Sequence, residues 1–139
     1  MRLALPLAFC VVALAGCATS GPLPAPVQDL VGVLEGRGLQ LTPCNVCNGQ
    51  AFERVDSTAL VASYTVRGIE PPTRRRTLAV LDAYVFETEA HARAGLPLLR
   101  HIHPVGRIYA DGPLVAVTQG ATPGLELAMR RRFGPPVDG

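Results

Sequence analysis

The chain contains no tryptophan and no lysine, and serine occurs only at Ser20, Ser57 and Ser63. Aromatic residues make up 5% of its 139 residues. Each scarcity narrows the function. Nucleic-acid binding needs a basic surface, often with rings on which bases stack. A formal charge of +2, carried by arginine alone and with few rings beside it, makes a poor candidate for that role. No serine stands in a Gly-x-Ser-x-Gly turn, and neither a glycine-rich phosphate loop nor a His-Glu-x-x-His pair occurs. The common signatures of hydrolases, nucleotide-binding enzymes and metalloproteases are therefore missing. There is no internal repeat of roughly 20 to 50 residues, which argues against a solenoid.

The N-terminal segment reads as an address. Met1 and Arg2 supply a positive start, and Leu3 to Leu14 form an apolar run of twelve. As a helix that run would reach about 18 Å, short of a hydrocarbon core of about 30 Å, so it reads as the core of a signal peptide and not as a membrane span. No later apolar run is long enough to span either. Leu14-Ala15-Gly16-Cys17 follows, with small residues that let a peptidase reach the extended backbone. Charge, apolar run and this tetrapeptide together resemble the lipobox leader of bacterial lipoproteins. The resemblance covers about seventeen residues and assigns no family to the rest.

That resemblance implies cleavage before Cys17, a thioether-linked lipid on its thiol and an acylated amino group. Two or three acyl chains give lasting attachment, where one would be marginal. It implies a place in the bacterial cell envelope. Ala18 points to the outer membrane, because an Asp at that position often holds proteobacterial lipoproteins in the inner one. The chain then divides into a signal peptide over 1–16, a lipidated Cys17 with a flexible Pro- and Gly-containing tether over 17–25, and one small domain over 26–139. A domain of that size can bury roughly two-thirds of its unfolded surface.

Within the domain, Pro26 suits the first turn of a helix, and Val27, Leu30, Val31 and Leu34 form one apolar stripe ended by Gly36 and Gly38. Leu39 and Leu41 alternate as a short strand ending at Pro43. Thr58 to Val66 and Thr77 to Phe86 read as longer strands, the second almost wholly apolar and so suited to the middle of a sheet. Thr88 caps a helix that Gly95 and Pro97 should end or kink early. Arg107 to Ala110 and Leu114 to Thr118 flank Asp111-Gly112, a hairpin signal. Thr122 is expected to cap a last helix with Pro123 in its first position, an inner stripe of Leu125, Ala128, Met129 and Phe133, and Arg130, Arg131 and Arg132 in its last turn. The order α-β-β-β-α-β-β-α predicts an α+β fold, a two-layer sandwich of a mainly antiparallel sheet of about five strands with helices on one face.

Four cysteines are present. Cys10 leaves with the leader and Cys17 takes lipid, which leaves Cys44 and Cys47. In an oxidising compartment this pair is expected as a disulfide that fixes local shape. One alternative is thiol–disulfide exchange, which normally sets the first cysteine at a helix N-terminus, where Asn45, Asn48 and Gly49 predict a loop; the other is a metal site or a free dithiol. His101 and His103, if extended, would point to one face and could ligate zinc or copper; the other reading is a pair of loop histidines. Asp82, a carboxyl in an apolar strand, is either an acid or base of raised pKa or a residue on the open face or paired with an arginine. Arg74, Arg75 and Arg76 form a solvated loop or touch anionic headgroups.

No catalytic set assembles from these residues, and no cofactor is implied. The leading expectation is a membrane-anchored envelope lipoprotein of non-enzymatic binding or structural role, with an unknown protein or small-molecule partner and no nucleic acid. Two alternatives stand: a thiol–disulfide redox factor using Cys44 and Cys47, and a metal-binding protein using His101 and His103.

Overall fold

The computed structural model describes residues 23–44, 60–68, 78–120, 122 and 124–137. The leader, Cys17, Cys47, Arg74 to Arg76 and Pro123 lie outside the described residues. Helix α1 spans Ala25–Glu35, with Pro26 in its first turn, and Val27, Leu30 and Leu34 are its buried residues. Burying each such side chain contributes on the order of 2 kcal/mol. Strands β1 (Gln40–Pro43), β2 (Leu60–Arg67) and β3 (Ala79–Val85) follow, then α2 (Glu89–Ile102), β4 (Arg107–Asp111), β5 (Leu114–Gln119) and α3 (Leu125–Phe133).

The sheet has five strands in the order β1-β2-β3-β5-β4, every neighbouring pair antiparallel. The α+β class and the antiparallel five-stranded sheet are as expected. β3 lies at the centre, flanked by β2 and β5. β3, α2 and β4 form a β-α-β unit whose two strands are separated by β5.

Side chains alternate along a strand, so the two faces of β3 have different neighbours. Ala79, Leu81 and Ala83 pack with Tyr64, Val66, Leu114, Ala116 and Tyr109 against α1 and α3. Tyr84 and Phe86 pack with Ile108, Val115 and Val117 against Ala92 and Leu99 of α2. Two helices share one face and make a two-layer sandwich with the sheet. The third, expected beside them, covers the opposite face instead. The reason lies in β3 and β5, which carry apolar residues on both faces and leave neither fit for water.

Three local expectations are corrected. Pro97 sits inside α2, and the helix runs on to Ile102. The ring removes one backbone bond. The turn beyond it is held instead by burial of Leu99, and Gly95 lets the helix approach so closely that a Cβ there would lie 2.9 Å from the Phe86 ring. Gly124, not Thr122, stands at the N-cap of α3. The Thr122 hydroxyl donates to the Val66 carbonyl at 3.3 Å, so it ties the approach to α3 onto β2. In the β4–β5 hairpin Asp111 pairs with Leu114, so the loop is Gly112-Pro113, one residue later than expected. Thr88 does cap α2, its hydroxyl accepting from the His91 N–H at 3.2 Å.

Beyond α3, residues 135–137 return along β4, where the Val137 N–H donates to the Ile108 carbonyl at 2.9 Å. At the N-terminal end of α3, Arg107 and Arg130 both bind Glu126, and Arg132 near its C-terminal end binds Asp111 at 2.7 Å.

Gly112 and Gly120 both have positive φ, 58° and 80°, but differ in surroundings. A Cβ on Gly112 would meet nothing within 4 Å, whereas on Gly120 it would lie 2.8 Å from the Leu78 carbonyl oxygen. Gly112→Ala should therefore cost only the left-handed backbone penalty, about 1–2 kcal/mol. Gly120→Ala should cost more, about 2 kcal/mol at the least, because backbone must also move. Urea denaturation of both variants checks the order.

Candidate functional site: a polar cluster beneath α2

The face of the sheet under α2 is not wholly apolar. Asp82 lies two residues from Tyr84 on β3, so the two side chains point the same way. Ser63 of β2 is the cross-strand partner of Asp82. Gln119 closes β5 on the same face, and His103 is the C-cap of α2. Chain order separates these residues widely; strand pairing and the β3-α2-β4 crossover bring them together.

The contacts form two linked pieces. The Ser63 hydroxyl donates to Asp82 Oδ1 at 2.7 Å, and Asp82 is 0% exposed. The Tyr84 hydroxyl lies 2.9 Å from His103 Nε2, and the Gln119 amide nitrogen contacts His103 Nδ1. His103 is 1% exposed and meets the Tyr84 ring edge-on. Arg100 Nη1 donates to the carbonyls of His103, at 3.3 Å, and Gly106, at 2.8 Å, and so brackets the turn that leaves α2.

Burial governs the electrostatics. It pushes the Tyr84 hydroxyl well above its ordinary value, helped by Asp82, so the phenol stays protonated. It also pulls His103 below the usual imidazole value of 6.5; Asp82 opposes that shift and the Arg100 guanidinium adds to it. A neutral imidazole has one donor and one acceptor nitrogen. With the Gln119 amide nitrogen facing Nδ1, that nitrogen accepts and Nε2–H donates to the Tyr84 oxygen; turning the amide over reverses both roles.

His101 and His103 are not brought together. The segment expected to be extended is the end of α2, where two residues subtend about 200° instead of sharing a face. His101 is exposed, and both ring nitrogens of buried His103 have protein neighbours. Among the described residues no group of three or more His, Cys, Asp or Glu could hold a metal ion. Cys44, directly after β1, donates its N–H to the Ser63 carbonyl at 2.8 Å. Glu87 and Glu89 flank the helix cap and pair one turn on with His91 and Arg93. A cleft of about 200 Å³ lies between α2 and the β4–β5 turn, with Ala92, Leu96, Ala110 and Val137 among its walls.

Asp82 was singled out from sequence; it faces neither solvent nor the open side of the sheet. Ser63, Tyr84 and Gln119 were missed. Strand parity alone would have put Tyr84 beside Asp82, but the meeting with Ser63 and Gln119 needs the register. The arrangement has no exposed nucleophile among the described residues. Its chemistry is that of a buried network, which fixes how α2 meets the sheet.

Ser63→Ala removes the donor to Asp82 and should cost about 1–3 kcal/mol. Tyr84→Phe leaves a buried imidazole nitrogen without its partner and should cost a similar amount, about 1–3 kcal/mol. Thr65→Ala, at a half-buried site with one long bond to the Thr42 carbonyl, should stay within about 0.5 kcal/mol. Thermal unfolding of the three variants tests this ranking. No family model, no curated protein and no solved structure matches this chain, so its own residues carry the functional reading.

Proposed function

We propose that this is a lipid-anchored protein of the bacterial cell envelope, held by Cys17, with a small domain of non-enzymatic binding or structural role. The observation that carries the reading is Leu14-Ala15-Gly16-Cys17, set directly behind a charged start and an apolar run. In this reading Ala18 favours the outer membrane over the inner one. Two features support the reading. No helix among the described residues is long and apolar enough to cross a membrane, so attachment by lipid fits the chain. The domain's first helix begins at Ala25, which leaves a short tether after Cys17. The non-enzymatic part rests on the buried cluster, whose imidazole is engaged by the Tyr84 phenol and Gln119 and whose carboxyl is engaged by Ser63. The partner is a protein or small molecule met at the membrane surface; neither nucleic acid nor a cofactor enters the reading. In this reading Cys44 and Cys47 pair as a shape-fixing disulfide, as an oxidising compartment favours.

Mass spectrometry of the mature N-terminus should find Cys17 as the first residue with two or three acyl chains, and Cys17→Ser should move the protein out of the membrane fraction. An uncleaved or unacylated Cys17, or a Cys17→Ser protein that stays equally firmly in the membrane, overturns the anchor. Insulin reduction in the presence of dithiothreitol should run at the uncatalysed rate. A faster rate, with a mixed disulfide trapped on Cys44 or Cys47, would replace the binding role with thiol–disulfide exchange.

A further inference from the structure

We propose that the imidazole of His103 is an acid-labile latch on α2: when it takes up a proton, the C-terminal turns of the helix release from β3 and β5 and uncover the apolar face beneath. Three observations carry this, and none depends on the lipid anchor.

The first is position. Leu99 and Ile102 pack the end of α2 on the sheet, and His103 hydrogen-bonds it there, with Tyr84 of β3 on one ring nitrogen and Gln119 of β5 on the other. The second is the lack of room for a second ring proton. Both nitrogens of an imidazolium are donors. The Tyr84 hydroxyl already accepts from Nε2–H, but the Gln119 amide nitrogen, itself a donor, would have to turn away and present its oxygen to a protonated Nδ1. The new charge would be 1% exposed and close to the Arg100 guanidinium. Among the described residues, the groups facing the ring are Asp82 and Tyr84 from β3, Arg100 from α2 and the uncharged Gln119 from β5. On β4, Ile108 is apolar, and Arg107 is engaged with Glu126 of α3. Asp82 favours the proton, but burial and Arg100 outweigh it.

The third is the way α2 is held. It is the one described helix on its face, and only Ala92 and Leu99 of its residues are fully buried. Pro97 removes a backbone bond between its two halves, so the last turns can part without unwinding the first. Opening would expose the edge of a cluster built on Tyr84, Phe86, Val115 and Val117.

The sign follows from linkage. The closed state binds the proton less readily than the open state, so acid favours opening. The latch holds fully above the ordinary imidazole value of 6.5 and weakens as pH falls below it, until the folded ring itself titrates.

The test uses the full chain from about pH 8 to about pH 5, the range in which an ordinary imidazole changes charge. Ring nitrogen shifts of His103 and exchange protection of the Leu98 to His103 amides are followed together by NMR. Protection should be constant at the alkaline end and fall about tenfold per pH unit below the imidazole range, while α1 and α3 keep theirs. His103→Phe keeps a ring beside Tyr84 and has no proton to take up, so its profile should be flat. The proposal fails if the ring titrates with protection unchanged, or if the protection of α2 already falls above the ordinary imidazole range, where neither state takes up a ring proton. It fails equally if nothing changes over the range, or if His103→Phe loses protection as the parent does. The wild-type measurement decides the matter even if the variant does not fold.

Discussion

The burial of β3 on both faces is the constraint from which the rest of this structure follows. A central strand with Ala79, Leu81 and Ala83 on one side and Asp82, Tyr84 and Phe86 on the other leaves no face to water. Each side must be covered, and the helices divide accordingly: α1 and α3 over one, α2 over the other. The two covers are not equivalent. The α1–α3 side is mostly aliphatic, with the rings of Tyr64 and Tyr109 buried in it. The α2 side includes polar atoms, and a polar atom sealed from water must find a partner or destabilise the fold. Ser63, Gln119 and His103 are placed where Asp82 and Tyr84 need them. One helix position, His103, serves the core and the hydrogen-bond network together.

Much of this order was legible from residue periodicity. The stripe of Val27, Leu30 and Leu34, the strand cores, the Thr88 cap and the eight-element order all follow from local rules. The misreadings share a cause, which is that local signals were overridden by packing. Pro97 reads as a stop or a kink, yet α2 does not end there, and Leu99 beyond it is buried. Thr122 reads as a cap, yet its hydroxyl is engaged by the Val66 carbonyl across the sheet. The placement of α2 needed the observation that β5 is apolar on both faces, which a run such as Leu114 to Val117 does contain. The buried cluster was the least legible part. A single interruption, Asp82, was visible, but its partners lie 19 residues or more away in sequence or on another strand, and only strand register identifies them.

The two faces also suggest a division of labour. Among the described residues the α1–α3 cluster is aliphatic and aromatic, with no buried imidazole or carboxyl in it. The α2 side holds the groups through which the surroundings can act on the fold. In a protein proposed to stand outside the cytoplasm, where acidity follows the medium more closely, that asymmetry sets which half of the molecule can respond and which half keeps its shape.

The short return of residues 135–137 has a consequence of its own. β4 is the outermost strand on its side of the sheet, and an outermost strand offers unpaired backbone groups to any strand that meets it. By engaging Ile108, the segment at Val137 occupies part of that border. The far border, β1, is four residues long and closes on Pro43, which has no N–H to give. Copies confined to a plane would collide far more often than copies free in a volume. Among the described residues, both margins of this sheet thus offer little open backbone to a neighbouring copy, a property that would count most for a chain anchored as proposed.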